Sequence, residues 1–461
     1  MRLQLNPKAA VSIIYVSAMF IAAMDATIVN VALAAIGRDF HIPPTATNGI
    51  NAGYLVGIAV FLPMAGWLGD RFGAKRIFLT ALGMFTLASG LCGVANQLAI
   101  LNWFRVIQGV GGGLLTPTGM AMLFRTFAPE ERVKVSRSLI FPIAVAPALG
   151  PIIGGFLVQH LSWRWVFLIN LPFGALVLLF SLLFLVEHKE PAAGRLDLPG
   201  VLLSAPGFAM LMYALIHGPS QGWGSFLILG TGFCGAVLLG ALVRVELRVK
   251  EPLLDLRLLA DRVFQRMSII AALTAAGLVG MLFIFPLMYQ NMLGASPLES
   301  GLTTFPEALG LIIASRIMPR TYRRLGARWV VSLGLGGAIP VFLLLSMVGP
   351  TTDPWSIRVL FFCMGLCLGH TVVAAQFLAF HHISAASMGR ATTLFNVQNR
   401  IGSALGVVVL ASLLGGFGTR ALGATGTGQP IFEAYRFALR GSVVFLLAAL
   451  FVGLGIRKTE A

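Results

Sequence analysis

Long apolar runs recur along the chain from about residue 11 to residue 456, separated by short stretches that hold most of the charge. A helix needs about 20 mostly apolar residues to cross the hydrocarbon of a bilayer. Segments meeting that requirement are 11–33, 48–68, 76–95, 98–124, 137–159, 165–186, 198–217, 224–244, 267–289, 301–319, 328–348, 356–378, 391–414 and 435–456. The pattern predicts an all-α polytopic membrane protein with fourteen transmembrane helices. Two of these segments carry charge in their interiors: 301–319 holds Glu307 and Arg316, and 391–414 holds Arg400.

Composition agrees with that reading. Of 461 residues, 57% are hydrophobic and 11% charged, against about 25% charged in soluble domains. A soluble fold of this size could not hide so much apolar surface. The 53 glycines suit close helix packing in lipid. The first apolar run follows Arg2 and Lys8, is longer than the core of a cleaved signal peptide and contains Asp25, so it reads as a retained span. Cys92, Cys234, Cys363 and Cys367 all lie in apolar runs without His or carboxylate at ligand spacing, which points to packing rather than to a metal or a disulfide.

The net charge of +16 would suit a nucleic-acid binder, but the basic residues sit in short loops between apolar segments. With a cytoplasmic N-terminus most of the 33 Lys and Arg fall inside, as the positive-inside rule requires. The exceptions outside are Arg38, Arg164, Arg358, Arg420, Arg436 and Arg440, and Arg105 and Arg400 lie within spans. An even number of spans puts Arg457 and Lys458 in the cytoplasm as well, so both termini are expected there.

The two halves echo one another. Gly66-Trp-Leu-Gly-Asp70-Arg71-Phe-Gly73-Ala-Lys75-Arg76 follows the second span, and Pro319-Arg-Thr-Tyr-Arg323-Arg324-Leu-Gly326-Ala-Arg328 follows the tenth. Both place a Gly-Ala-basic step after a basic turn, with Arg323 where the first copy has Asp70. A six-helix bundle at 1–188, a linker with two extra helices at 189–266 and a second six-helix bundle at 267–461 account for this spacing. Parallel repeats of this kind are a transporter architecture.

At these residues the chain resembles the major facilitator superfamily, and more narrowly its fourteen-span drug:proton antiporter branch. Met24-Asp25-Ala-Thr27-Ile-Val-Asn30-Val-Ala-Leu33 is similar to that branch's first-span motif. Gly66 to Arg76 is similar to the superfamily's motif between spans 2 and 3, and Arg105-Val-Ile-Gln108-Gly109-Val-Gly111-Gly112 to its fourth-span motif. Gly150-Pro151-Ile-Ile-Gly154-Gly155 resembles the fifth-span signature of antiporters, and Trp163 to Pro172 the start of the sixth span. The resemblance covers the whole chain and is densest over 20–175. It implies a major facilitator fold and proton-driven multidrug efflux of small lipophilic, often cationic compounds across a bacterial cytoplasmic (inner) membrane. If the source is Gram-negative, it implies a periplasmic adaptor and an outer-membrane channel as partners. One departure is Glu307, in Phe305-Pro306-Glu307-Ala308, where many members of the branch have an apolar residue.

Of 17 Asp and Glu, only Asp25 and Glu307 fall well inside these spans. A charge at a helix centre costs about 2.5–3.5 kcal/mol on insertion scales, so such acids are candidate proton carriers. The alternatives are a fixed ion pair, or a neutral acid hydrogen-bonded within the bundle. At about 1.5 Å rise per residue, Asp25 and Arg105 lie roughly 12 and 10 Å from the outer ends of their spans. Since the first and fourth spans line the cavity in the facilitator fold, the resemblance implies that Arg105 answers to the charge of Asp25.

Asp70 and Arg71 close the second span, and the resemblance assigns Gly66, Asp70, Arg71, Gly73 and Arg76 to a conformational gate. A carboxylate there suits a helix N-terminus and a guanidinium partner; topology signalling by the basic residues alone is the other reading. Pro147, Gly150, Pro151, Gly154 and Gly155 predict a bent, closely packed helix, whether as a hinge, a proton seal or plain packing. Asn30, Tyr54, Gln108 and Arg400 are candidate cavity residues; for Arg400 an inter-helix anchor is the alternative. His370 reads as a packed histidine, and His381-His382 as loop residues.

No phosphate-cradling Gly-x-x-x-x-Gly-Lys-Ser/Thr loop is present, which argues against an ATP-driven pump. No grouping of Ser, His, Cys or acids suggests an enzyme, and no cofactor or metal is expected. The partners expected are protons, a small-molecule cargo and the lipid bilayer. The closest rival function is a proton-coupled exporter of one metabolite, lipid precursor or siderophore.

Overall fold

The computed structural model describes residues 6–42, 48–127, 131, 145–147, 149–150, 152–187, 197–249, 252–384, 387–422 and 429–456. Among them there are helices and no β-strand. In chain order these are α1 (Pro7–Asp39), α2 (Asn48–Phe61), α3 (Ala65–Phe72), α4 (Ala74–Val94) and α5 (Leu98–Thr126). A shorter apolar helix, α6 (Val145–His160), follows. Then come α7 (Trp165–Leu168), α8 (Asn170–Phe184), α9 (Leu198–Gln221), α10 (Phe226–Glu246), α11 (Arg262–Leu293), α12 (Pro297–Thr304), α13 (Pro306–Ser346), α14 (Pro354–Ala379), α15 (Met388–Leu422) and α16 (Gln429–Leu454). Pro151 and residues 137–144 of the proposed fifth span lie outside the described residues.

Twelve helices among the described residues are long and apolar enough to cross a bilayer. One of them, Leu298–Ser346, has 49 residues, well over twice the length a span needs. It contains the two segments expected at 301–319 and 328–348. The run turns at Gly326, whose φ of 77° and ψ of 172° are not helical. Gly73, between α3 and α4, has φ 101° and ψ 131°. The repeated Gly-Ala-basic step thus carries the same backbone feature twice, a left-handed φ that glycine adopts without steric cost. Arg316, Arg320, Arg323, Arg324 and Arg328 around the second copy are all exposed.

Local signals set the helix ends. Asn6 caps α1 by accepting from the Lys8 amide, with Pro7 in the first turn. Asp261 caps α11 through the amides of Val263 and Phe264, and Gly294, at φ 70°, ends it. Ser296 and Glu299 form a capping box at α12.

Contacts divide the chain into two compact units. The first holds residues 1–214, 230–258 and 383–397, the last of these including the first turns of α15. In it α5 packs between α2 and α4, and α1 against α5 and α8. Glycine permits the closest crossings: a Cβ on Gly111 would lie 2.7 Å from both Ala81 O and Phe85 N of α4. The second unit holds residues 215–229, 259–382 and 398–461. There α13 packs on α14 and α16, and α11 on α14 and α16.

One apolar cluster of the first unit joins Ile28, Val29, Ala32 and Ile36 of α1 to Ile50, Cys92, Leu101, Trp163, Val166 and Phe167. A polar clamp closes it at the end of α1. Trp163 Nε1 donates to Asp39 Oδ2 at 3.0 Å and Arg164 Nη1 to the same oxygen at 2.9 Å. These two bonds, Trp163 first, hold the Asp39 carboxyl below the usual aspartate range. A depressed carboxyl contributes stability that is present above its unfolded pKa, about 3.9 for aspartate, and lost as pH falls through the folded value. The Tm difference between wild type and Asp39→Asn, read by thermal unfolding in detergent, is expected to be widest near neutral pH and to close below about pH 4.

Candidate functional site

Asp25, in the middle of α1, has no solvent exposure, and neither has Arg105 or Gln108 of α5 or Asn170 of α8. Arg105 Nη1 donates to Asp25 Oδ2 at 2.7 Å. Gln108 Nε2 and Asn170 Nδ2 both donate to Asp25 Oδ1, at 2.9 and 2.8 Å. Arg105 and Gln108, three residues apart on one face of α5, are themselves joined by a bond from Nη1 to Oε1 at 2.8 Å. Asn170 opens α8 and also donates to Ser89 Oγ of α4 at 3.0 Å, while Ser89 Oγ donates to Phe167 O at 2.9 Å. Two helices, α5 and α8, therefore supply donors to the carboxylate of α1, and α4 joins the network through Asn170.

The rest of the guanidinium is packed. Arg105 Nε donates to Ile50 O at 3.3 Å. Its Cζ lies 4.3 Å from the Tyr54 ring centroid and 5.7 Å from that of Phe167, a desolvated cation–π arrangement. Arg105 Nη2 and Asn170 Oδ1 are buried without a hydrogen bond. A carboxylate has acceptors only, so it can meet all three donors. A protonated Asp25 would present an O–H and have to release one of them. The idle Asn170 Oδ1 is an acceptor and the idle Arg105 Nη2 a donor for such a rearrangement.

The helix of small residues leans on this centre. A Cβ on Gly150 would collide with Thr27 and lie 3.0 Å from Ile28 N, and one on Gly154 would lie 2.8 Å from the Ile28 side chain. Glycine at both positions lets α6 touch the α1 backbone beside Asp25. Gly155 faces open space and Pro147 is partly buried.

Near the other end of α5, Arg125 Nη2 donates to Asp70 Oδ1 at 2.7 Å, with both side chains largely buried. The same carboxylate faces the first turn of α15, since a Cβ on Gly389 would lie 3.5 Å from each Asp70 oxygen. Gly66 faces that turn too: a Cβ there would lie 2.9 Å from Thr393 Oγ1 and 3.2 Å from Gly389 O. Beyond Gly73, Glu187 after α8 accepts from the Lys75 amide at 3.1 Å and lies 3.7 Å from Arg76 Nε. Lys75 Nζ donates to Leu185 O at 2.6 Å. Arg71 is exposed.

The structure thus joins Asp25, Arg105, Gln108 and Tyr54 in one network and Gly66 with Asp70 around one helix start. Asn30 stands apart from that network, exposed and bonded to Asn51 at 2.7 Å. Glu307 belongs to the second unit; it is buried in the first turn of α13, where a Cβ on Gly365 of α14 would lie 3.0 Å from its Cα. Arg400 is exposed on α15 in the same unit. His370 Nδ1 lies 2.8 Å from Leu366 O of its own helix. Sequence reasoning did not single out Asn170 as a partner of Asp25 or Ser89 behind it, nor Arg125 and Glu187 at the loop motif. The signals available were a polar residue at the start of α8, a basic one in the last turn of α5 and an acid just past α8.

An all-helical chain with many membrane-crossing helices and a buried charge centre is a polytopic membrane protein of the carrier type. Residues 15–407 match the Major Facilitator Superfamily model, and the chain belongs to that superfamily. It is 30% identical over 404 residues to the "Multidrug resistance protein B homolog" of Mycobacterium tuberculosis (strain ATCC 25618 / H37Rv), covering 87% of this chain and 75% of that one. It is 30% identical over 441 residues to the "Putative multidrug resistance protein MdtD" of Escherichia coli O81 (strain ED1a), covering 94% and 92%. The human organic anion transporter MFSD10 (TETRAN) shares the fold at a TM-score of 0.67 and 14% identity, over 97% of this chain and 100% of that one. The proton:xylose symporter XylE does so at 0.65 and 14%, over 96% and 94%. The protein is accordingly a multi-pass membrane transporter of small molecules rather than an enzyme.

Proposed function

We propose that the protein exports small lipophilic, often cationic compounds in exchange for protons, with Asp25 as the principal proton carrier. The observation that carries this reading is the fully buried Asp25–Arg105 pair, held by two further donors in an otherwise apolar core. Intramembrane acids are expensive and mark ion or substrate pathways. Uptake of a proton by Asp25 frees one of three donors from three different side chains on two helices, so protonation is tied to the packing of α1 against α5 and α8. The relatives named for multidrug resistance support the cargo class.

In this reading Arg105 sets the state of Asp25, and Glu307 is a second acid that carries protons or meets cationic cargo. Tyr54 and Gln108 belong to the coupling centre, and Asn30 in the first unit and Arg400 in the second are candidate cargo contacts. An exposed arginine within an apolar span belongs in water rather than lipid. The Asp70 region is the gate: α15 starts against Asp70 and Gly66, so its release is a step of the transport cycle. Counting Leu298–Ser346 as two spans divided at Gly326, and Val145–His160 as one more, gives fourteen. That count fits a 6 + 2 + 6 order, with bundles at 1–188 and 267–461 around two extra helices. An even count puts both termini on one side of the membrane; with the basic loops on the cytoplasmic side, our reading has both termini in the cytoplasm and the protein in a bacterial inner membrane.

Inverted membrane vesicles test the reading. Energised vesicles holding the wild type are expected to accumulate a fluorescent lipophilic cation, and a protonophore is expected to stop them. Accumulation that ignores the protonophore would sink proton exchange. Transport of one metabolite only, with no movement of lipophilic cations, would replace the multidrug reading with that of a dedicated exporter.

A further inference from the structure

Three acids that play no part in the coupling centre meet where α9 begins and α10 ends. Asp197 immediately precedes α9 and is 5% exposed. Its Oδ1 accepts from the Gly200 amide at 2.9 Å, and its Oδ2 is buried with no hydrogen bond. Glu246, the last residue of α10, has no exposure, and both of its carboxyl oxygens lack a hydrogen bond of good geometry. Backbone hydrogen bonding from the amides of Leu254 and Leu253 offers it partial compensation. The two carboxyls aim at one point: a Cβ on Gly200 would run into Asp197 Oδ2 and lie 2.9 Å from Glu246 Oε1. The third acid, Asp255, has its Oδ2 3.5 Å from Arg390 Nη1 in the first turn of α15, while its Oδ1 is buried without a bond.

Among the described residues, charge does not balance here. Arg390 is the single guanidinium paired with the group among the described residues. Arg257 spends its Nη2 on the carbonyls of Val249 and Leu247, and Arg244 and Arg248 are exposed. Two carboxylates facing each other out of water, with backbone amides but no cation beside them among the described residues, would suffer both desolvation and mutual repulsion. A proton between them removes one charge and supplies the missing donor. No group of three His, Cys, Asp or Glu among the described residues is placed to hold a metal ion instead.

We propose that Asp197 and Glu246 are a proton-sharing carboxyl pair, a binding site for one proton separate from Asp25. On uptake, an O–H forms on one carboxyl and donates to the facing oxygen of the other, taking the pair from two negative charges to one. Release returns that proton to water and breaks no other bond. The pair sits beside Asp255, so its charge acts on the Asp255–Arg390 contact that ties the segment after α10 to the start of α15. Through that contact the two extra helices gain a proton-dependent hold on the helix that Asp70 also faces.

The test uses the full-length protein in nanodiscs in an Asp25→Asn, Glu307→Gln background, and reads proton binding rather than transport. It therefore stands whether or not the exporter reading does. Infrared difference spectra between acid and alkaline pH are expected to show a protonated-carboxyl band that Glu246→Gln removes and Asp197→Asn shifts. Glu246→Gln is also expected to release one proton fewer per molecule on alkalinisation. Asp197→Asn keeps the oxygen that caps Gly200, so it reports on the band even if Glu246→Gln fails to fold. A band and a proton count unchanged by either substitution would overturn the proposal, as would a band removed by Asp255→Asn alone.

Discussion

Asp25→Asn is expected to abolish substrate-driven proton movement in proteoliposomes while leaving a folded, monodisperse protein. The amide keeps an oxygen for Arg105 Nη1 but can carry no proton through the cycle. Asp25→Ala should do more. It removes the acceptor for three donors at once and strands a guanidinium with no solvent exposure. Breaking a buried pair from one side costs about 3–5 kcal/mol, because the remaining charge keeps its desolvation penalty without its partner. Thermal unfolding in detergent should therefore rank wild type above Asp25→Asn and Asp25→Asn above Asp25→Ala. A pH-sensitive dye inside the liposomes reads the proton arm. Wild-type proton flux in Asp25→Asn would remove Asp25 from the coupling role, whatever the stability ranking.

At the proposed gate, Asp70→Asn should slow transport and spare binding. The Asp70–Arg125 contact is a charge-assisted hydrogen bond at 2.7 Å in largely buried surroundings. Bonds to charged groups contribute about 1.5–3 kcal/mol, so its loss shifts the equilibrium it biases by roughly ten- to a hundred-fold. Transport should fall by that order while the substrate Kd stays within about twofold. Arg125→Gln should reproduce the effect. The double variant should be little worse than the poorer single one, because the two residues act through one contact. Binding lost in proportion to transport would instead mark a distorted cargo site, and additive losses would separate Asp70 from Arg125.

Much of this was readable from the chain. Apolar length predicted helices because a bilayer forces every backbone N–H and C=O to bond within its own segment. The Gly-Ala-basic step was legible as a repeat, and the structure adds that Gly73 and Gly326 both take a positive φ there. Asp25 and Arg105 stood out because charge is rare in apolar runs. Asn170 and Ser89 did not, because a neutral polar residue in a span is common and nothing in its sequence neighbourhood says which distant group it meets. Glu246 escaped for a different reason. It stands at the end of an apolar run beside exposed basic residues, where an acid ordinarily meets solvent, and yet it is fully buried, with Asp197, Leu253 and Leu254 beside it.

The sequence by itself determined a membrane-spanning helical chain, a family and the rare charges within its spans, since hydropathy and motif order are local properties. Tertiary structure decided which donors Asp25 receives, that α15 starts against Asp70, and that Asp197 and Glu246 face one another. Those outcomes depend on how closely helices far apart in the chain approach, and that is set by packing at positions such as Gly150, Gly389 and Gly200 rather than by any run of neighbouring residues.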